Sequence, residues 1–193
     1  MNLNILDIRD RILSEKNWSL FLDRDGVINK RIVGDYIKKV EEFEFLPGVL
    51  DAIKIMSGIF KYIFIVTNQQ GIGKGLMTAE DLKKVHHYML NEIIANNGKI
   101  DSIYHSPFLA TENNNFRKPQ IGMALKAKED FPAVDFSRSL MVGDSFSDMK
   151  FGKNAGMITV FTLPKEATED IRTQTDILMD GLKGVGSWLD VSK

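Results

Sequence analysis

Three short apolar runs, each followed directly by polar side chains, constrain the fold of this chain more than any other feature. The runs occupy residues 18–22, 62–66 and 139–142, and the polar clusters after them contain Asp23, Thr67 and Asp144. Because the runs do not alternate between apolar and polar residues, they indicate buried strands of a parallel sheet with helices on both faces. Open parallel sheets bind ligands at the carboxyl ends of their strands, so we expect the clusters to converge there.

Segments with helical spacing separate these strands. Helices are predicted over residues 49–56, 78–98, 122–130, 146–154 and 185–191, and further strands over 103–105, 158–162 and 176–179. In the longest helix, Thr78 suits the N-cap, Asp81 the reciprocal capping partner and Gly98 the C′ position. Strands that alternate with helices predict an α/β fold, a three-layer α/β/α sandwich around a mostly parallel, Rossmann-like sheet. Residues 30–44 and 107–116 are predicted loops near the site.

The composition narrows the classes of partner. With 193 residues and 44% hydrophobic content, the chain is expected to form one domain over residues 1–193 and to act as a monomer. The 25 basic and 26 acidic residues nearly balance, which argues against a nucleic acid or membrane partner and favours a small molecule. The absence of cysteine excludes disulfides, thiolate catalysis and cysteine-ligated zinc. No signal peptide or apolar run of about 20 residues is present, so we expect a cytoplasmic location.

The strand ends carry residues suited to phosphoryl transfer. Asp23 and Asp25 place two carboxylates two residues apart, so that one can attack while the other transfers protons. A carboxylate attacks phosphorus only when the charge on the phosphoryl oxygens is masked, and Mg²⁺ suits that task. Asp144 is the further candidate ligand, and Asp148 is expected to support the metal site. Each of these aspartates, taken alone, is equally well explained as a turn or helix-capping residue.

The remaining charge on a transferred phosphoryl group requires a cation and hydrogen-bond donors at the same edge of the sheet. Lys118, in the Arg-Lys-Pro triplet 117–119, and Thr67, at the end of the second strand, meet that requirement. The sequence therefore predicts a magnesium-dependent phosphatase that forms a covalent aspartyl-phosphate on Asp23.

In this order, the motifs D-x-D-G, Thr-Asn after a strand, Arg-Lys-Pro and Gly-Asp-x-x-x-Asp resemble those of the haloacid dehalogenase-like hydrolase superfamily, over residues 18–162. The resemblance implies that Asp23 is the nucleophile, Asp25 the general acid and base, and Thr67 and Lys118 the phosphoryl-binding pair. It also implies a magnesium site formed by Asp23, the backbone carbonyl of Asp25, and Asp144, with support from Asp148.

Within the superfamily, residues 21–29 and 67–72 and the Arg-Lys-Pro triplet are similar to the branch of heptose bisphosphate and histidinol-phosphate phosphatases. That branch has almost no cap domain and commonly carries a zinc ion held by three cysteines and a histidine. The matching stretch here, residues 104–116, has a histidine but no cysteine, so no zinc is predicted. Ser145, where the heptose enzymes typically have lysine, is a second departure.

The resemblance also implies which residues contact the substrate and what that substrate is. The predicted contacts are Arg117, the segment from Arg31 to Gly34, and the three residues Asn68, Gln69 and Gln70. The implied substrate is a small sugar phosphate, in particular the 7-phosphate of D-glycero-D-manno-heptose-1,7-bisphosphate. Histidinol phosphate, a 3′-phosphate on nucleic acid and a non-catalytic sugar-phosphate binding module are the alternatives. His86 and His87 are interpreted as packing or solvated residues, and His105 as a loop or core residue, with a phosphate contact as the alternative.

Overall fold

A computed structural model describes residues 4–192. Its six strands form one sheet in the order β3-β2-β1-β4-β5-β6, and every neighbouring pair is parallel. The strands are β1 (Ser19–Leu22), β2 (Tyr62–Asn68), β3 (Ser102–Ser106), β4 (Ser139–Gly143), β5 (Ile158–Phe161) and β6 (Ile177–Leu178). All six predicted strands are confirmed, with shifts of one or two residues at their ends.

In the described part of the chain, seven α-helices connect and flank the strands. They are α1 (Ile5–Ser14), α2 (Val49–Ser57), α3 (Ala79–Ala95), α4 (Gly122–Asp130), α5 (Phe146–Ala155), α6 (Glu169–Thr173) and α7 (Gly181–Leu189). Short 3₁₀ turns occupy Val40–Glu42, Phe136–Arg138 and Pro164–Glu166. Within residues 4–192, no helix is long and apolar enough to cross a membrane.

The sheet separates two hydrophobic cores, which confirms the three-layer sandwich. Successive residues of a strand point to opposite faces. In β1, Leu20 and Leu22 pack in the core that α1, α2, α3 and α7 cover. Phe21 packs on the other side, where Met123 of α4 and Phe151 of α5 contribute. Because both faces are covered, the strands are apolar throughout, as the sequence pattern predicted.

The strand order brings the predicted site together. β1 pairs with β2 on one side and with β4 on the other, so the carboxyl ends of these three strands are adjacent. Strands β2 and β3 are added to one side of β1, whereas β4, β5 and β6 are added to the other side. This change of side between β1 and β4 creates a crevice beyond the strand ends. Asp23, Thr67 and Asp144 lie at the rim of this crevice.

Helix α3 has the predicted start and a different end. The Thr78 side chain accepts from the Asp81 backbone N–H, and the Asp81 carboxylate accepts from the Thr78 N–H, which confirms the capping box. The prediction that Gly98 occupies C′ is wrong by one residue. Asn97 takes that position with a φ of 61°, and the Gly98 N–H donates to the Ile93 carbonyl at 2.9 Å. Asparagine tolerates the left-handed conformation, so the helix ends one residue earlier.

Two helices near the termini differ from the sequence pattern. Helix α1 was not predicted, although its buried face consists of Ile8 and Ile12. Helix α7 begins at Gly181, four residues before the predicted start, because its glycines weaken the helical signal. Gly186 serves close packing: a Cβ atom there would lie 2.8 Å from the Ala52 Cα of α2.

Candidate active site

Asp23 is the first residue beyond strand β1. Its backbone N–H donates to the Val142 carbonyl at 3.0 Å, which extends the β1–β4 ladder and fixes the chain at this point. The side chain is almost fully buried, with 6% of the residue exposed. Burial raises the pKa of Asp23 to about 6 against the opposing charge of Lys118, and Asp148 adds repulsion.

Lys118 is the buried cation that connects the motifs. Its Nζ lies 2.8 Å from Asp23 Oδ1 and 2.6 Å from Asp148 Oδ1, and it donates to the Val66 carbonyl at 2.7 Å. Burial alone would lower the pKa of Lys118, but the carboxylates of Asp148 and Asp23 raise it above its ordinary value. The ammonium group therefore stays charged beside the carboxylate of Asp23.

The carboxylate of Asp25 accepts hydrogen bonds from three side chains. Its Oδ1 accepts from Asn29 Nδ2 at 2.9 Å, and its Oδ2 accepts from Gln69 Nε2 at 2.8 Å. Arg24 donates to both oxygens. Burial raises the pKa of Asp25, but the charge of Arg24 and these hydrogen bonds outweigh it and lower the pKa overall. Gln69 also donates to Thr67 Oγ1 at 2.8 Å, so it connects the first two motifs.

Three carboxylates form a cluster suited to a hard divalent cation. One oxygen from each of Asp23, Asp144 and Asp148 lies within 4.8 Å of the others. Burial and repulsion from Asp23 and Asp148 raise the pKa of Asp144 to about 8, so the cluster is short of positive charge. Arg31 partly compensates: its NH2 lies 2.8 Å from Asp144 Oδ1 and donates to the Asp25 carbonyl at 3.2 Å. The Asp144 carboxylate and the Asp25 carbonyl were both predicted metal ligands, and the guanidinium of Arg31 contacts both of them.

Gly26 makes room for this cluster. Its φ of +93° is one that residues with side chains rarely adopt, and a Cβ atom there would lie 1.9 Å from Asp144 Oδ2. The glycine of the D-x-D-G motif is therefore required both by the turn and by the position of Asp144.

Asp148 has two roles that the sequence could not separate. As the N3 residue of α5 it accepts from the Ser145 backbone N–H at 3.0 Å, which completes a capping box. Its other oxygen lies beside Lys118 in the site. The helix cap therefore holds the carboxylate that faces the lysine.

The polynucleotide kinase 3 phosphatase family matches residues 20–167, which include the whole constellation described above. The chain belongs to this family of haloacid dehalogenase-like phosphatases. Family membership agrees with the order of the four motifs and with the six-stranded parallel sheet.

Among related haloacid dehalogenase-like proteins, the D-glycero-alpha-D-manno-heptose-1,7-bisphosphate 7-phosphatase of Campylobacter jejuni is 42% identical over 154 residues, 80% of this chain and 87% of the relative. The D-glycero-beta-D-manno-heptose-1,7-bisphosphate 7-phosphatase of Rhodopseudomonas palustris is 35% identical over 147 residues, 71% of this chain and 78% of the relative. The crystal structure of the D,D-heptose 1,7-bisphosphate phosphatase of B. bronchiseptica, complexed with magnesium and phosphate, matches with a TM-score of 0.78 and 26% identity. The match covers 89% of this chain and 97% of that one.

A cavity of about 460 Å³ lies next to these clustered side chains. It is lined by Asp23, Asp25, Thr67 and Lys118 and by four of the predicted substrate contacts, Arg31, Gly34, Asn68 and Arg117. Gln70, also predicted, lines it together with Tyr36, Lys74 and Ser145. Gln69 does not line it, because its side chain is fully buried and donates to Asp25 and Thr67. Its position suits orientation of Asp25 rather than direct substrate contact.

Asn68 has a structural role that was not foreseen. Its Oδ1 accepts from the Lys118 backbone N–H at 3.0 Å, and its Nδ2 donates to the Lys118 carbonyl at 3.1 Å. The side chain therefore fixes the backbone of Lys118 while it also faces the cavity.

Sequence reasoning gave Arg24 and Asn29 no role and interpreted His86 as a packing or solvated residue, so it placed none of them in the site. All three are buried next to Asp25 or to each other. For Arg24 and Asn29, proximity to the D-x-D-G motif was an available signal. For His86 the chain offered none, because it lies more than fifty residues from its partner and has ordinary helical spacing. His86 is buried, which agrees with the packing interpretation, whereas His87 is exposed.

Proposed function

We propose that this protein hydrolyses a phosphate monoester of a small sugar bisphosphate, in particular the 7-phosphate of D-glycero-D-manno-heptose-1,7-bisphosphate, in a magnesium-dependent reaction through an aspartyl-phosphate. The observation that carries the proposal is the contact of Lys118 with both Asp23 and Asp148 at the base of a polar cavity. That cavity falls within the range of roughly 300–1,000 Å³ typical of small-molecule sites. The named activity of the relatives in Campylobacter jejuni and Rhodopseudomonas palustris supports the choice of substrate.

The residues present fit a magnesium ion. Asp23, Asp144 and the Asp25 carbonyl would hold it, with Asp148 oriented beside them, because hard oxygen donors and excess negative charge are what Mg²⁺ requires. When bound, the ion masks the charge of the phosphoryl oxygens and favours the ionised form of Asp23.

In the first step, the Asp23 carboxylate attacks phosphorus, the new O–P bond forms, and the bond to the leaving oxygen breaks. Lys118 and Thr67 face the phosphoryl oxygens and stabilise their charge, since both line the cavity. Asp25 gives its proton to the leaving oxygen. The donors around Asp25 favour its ionised form, and the negative charge of an entering phosphate opposes them and favours the protonated form.

In the second step, Asp25 accepts a proton from water, and that water attacks phosphorus of the aspartyl-phosphate. Inorganic phosphate leaves and Asp23 is regenerated. The same carboxyl group serves as acid and then as base, so its orientation must suit both the leaving oxygen and the attacking water.

Charge argues against the nucleic-acid alternative. The family that matches residues 20–167 is named after a polynucleotide kinase 3 phosphatase. This chain, however, has 25 basic and 26 acidic residues and therefore no excess of positive charge. A chain without excess positive charge lacks the usual electrostatic attraction to a phosphate backbone.

The test is phosphate release from both anomers of the heptose bisphosphate, histidinol phosphate and a 3′-phosphorylated oligonucleotide, each with Mg²⁺ or with EDTA. We expect release from the heptose that needs Mg²⁺ and that Asp23→Asn abolishes. A preference for either other substrate would overturn the assigned substrate. Release by Asp23→Asn near the parent rate would overturn the covalent mechanism, and binding of the sugar without release would favour a binding module.

A further inference from the structure

Arg24 is a buried cation that the proposed reaction does not use directly. Its guanidinium is fully buried, and it lies next to Asp25 in the chain. Arg24 NH2 donates to Asp25 Oδ1 at 2.8 Å and to Oδ2 at 2.9 Å, and Nε donates to Oδ1 at 3.2 Å. A planar fork of donors on both oxygens fixes the plane of the carboxylate as well as its position.

His86 contacts the other terminal nitrogen of the Arg24 guanidinium. Its Nε2 lies 3.1 Å from Arg24 NH1, and the residue is 8% exposed on α3. Because a guanidinium only donates, Nε2 must be the acceptor, and the proton of the neutral ring is on Nδ1. Burial, the charge of Arg24 and His105 lower the pKa of His86 to about 3, which agrees with a neutral ring.

The remaining donors to Asp25 come from other elements. Asn29 donates to Oδ1 and Gln69 to Oδ2, while the side chain keeps 22% of its surface open toward the cavity. Asn29 and Gln69 each provide one hydrogen bond, whereas Arg24 contacts both oxygens. Without an acceptor at NH1, the guanidinium would leave a buried N–H unsatisfied and could rotate, which makes His86 important for its orientation.

We propose that Arg24 and His86 are positioning residues for proton transfer: His86 orients the Arg24 guanidinium, and Arg24 orients Asp25 toward the leaving oxygen. The inference rests on the proposed function. It concerns the proton-transfer step, so its consequences depend on how much the leaving group needs a proton.

Two substrates with different leaving groups test this. A sugar alkoxide needs protonation as it leaves, whereas the phenolate of p-nitrophenyl phosphate leaves without it. For His86→Leu we expect kcat/KM on the heptose bisphosphate to fall about 10- to 100-fold, and kcat/KM on p-nitrophenyl phosphate to fall less than about threefold. The comparison uses kcat/KM because this ratio reports the step in which the leaving group departs, whereas kcat also includes hydrolysis of the aspartyl-phosphate, which the two substrates share. The inhibition constant of inorganic phosphate, the product, is expected to stay within about twofold, because neither residue lines the cavity.

A matched variant separates positioning from packing. His86→Gln retains an acceptor for Arg24 NH1 and is expected to recover kcat/KM on the heptose bisphosphate to within about threefold of the parent. His87→Leu, at the exposed neighbouring position, is expected to leave both activities unchanged. Thermal unfolding of each variant shows whether it is folded, and Arg24→Lys, which keeps the charge but lacks the fork, should show the same selective loss if His86→Leu does not fold.

Equal losses on the two substrates, or equal impairment of His86→Gln and His86→Leu, would overturn the positioning role. Absence of release from both substrates by the parent protein would instead contradict the proposed function on which the inference rests.

Discussion

The side-chain amide of Asn68 pairs with both the N–H and the carbonyl of Lys118, fifty residues further along the chain. Strand β2 ends at Asn68, so this pairing ties the active-site lysine to the sheet rather than to its own loop. Lys118 Nζ in turn contacts Asp23 and Asp148. The position of the ammonium group therefore depends on one amide side chain at a strand end.

Replacement of Asn68 by alanine should lower kcat about 10- to 100-fold and the free energy of unfolding by about 1–3 kcal/mol, since two hydrogen bonds are lost. The measurements are steady-state phosphate release and urea unfolding. Asn154 provides a matched control, because its Nδ2 donates to the carbonyl of Pro119 at 3.1 Å but lies outside the cavity. We expect Asn154→Ala to keep kcat within about twofold; equal loss of kcat in the two variants would contradict the role of Asn68.

Replacement of Gly26 by alanine should weaken magnesium binding at least about tenfold, because the new Cβ atom would displace the Asp144 carboxylate. Titration calorimetry with Mg²⁺ measures this without reference to turnover. Gly156 controls for backbone strain, since it has a φ of +80° and a Cβ atom added there would meet nothing within 4 Å. Gly156→Ala should lose about 1–2 kcal/mol of stability and keep its magnesium affinity. Unchanged magnesium affinity in Gly26→Ala would show that Asp144 does not need this glycine.

Replacement of Asp144 by asparagine should stabilise the metal-free protein while it weakens magnesium binding. The change removes one of three neighbouring buried carboxylates, and burial together with repulsion from Asp23 and Asp148 raises the pKa of Asp144 to about 8. Thermal unfolding in EDTA should occur a few degrees above the parent temperature, at roughly 2–4 °C per kcal/mol for a chain of this size. Mg²⁺ should raise the melting temperature of the parent but not of the variant; an equal rise in both would exclude Asp144 as a ligand.

The buried neutral ring of His86 should make stability depend on pH. Its folded pKa of about 3 is below the unfolded value of about 6.5, so the unfolded state binds a proton first as pH falls. This contribution is fully present above about pH 6.5 and is lost progressively down to about pH 3, with a slope of at most about 1.4 kcal/mol per pH unit.

Urea unfolding of the parent and of His86→Gln between pH 7 and 5 measures that slope. The variant should lose less stability than the parent as pH falls, whereas His87→Gln, at an exposed position, should follow the parent curve. Parallel curves for the parent and His86→Gln would show that the ring is not buried in its neutral form.

Much of the fold and the site could be predicted because the signals are local. Apolar runs such as residues 62–66 identify strands, and the capping residues Thr78 and Asp81 identify the start of α3. The motifs name Asp23, Lys118 and Asp144 by residue type and order alone. The helix formed by Gly181–Leu189 was harder to place, because its glycines reduce helix propensity. One of them, Gly186, packs against Ala52 of α2, a partner that the local pattern does not show.

What the sequence by itself determined is the chemistry: which carboxylates, which lysine and which hydroxyl group follow the strands. Tertiary structure decided their partners. The contact of His86 with Arg24 joins residues 62 positions apart, and that of Asn68 with Lys118 joins residues 50 positions apart. Gln69 was expected at the substrate and instead lies buried against Asp25 and Thr67. The reason is physical: residue type fixes what a side chain can donate or accept, whereas strand order and helix packing fix which distant group lies within hydrogen-bond distance.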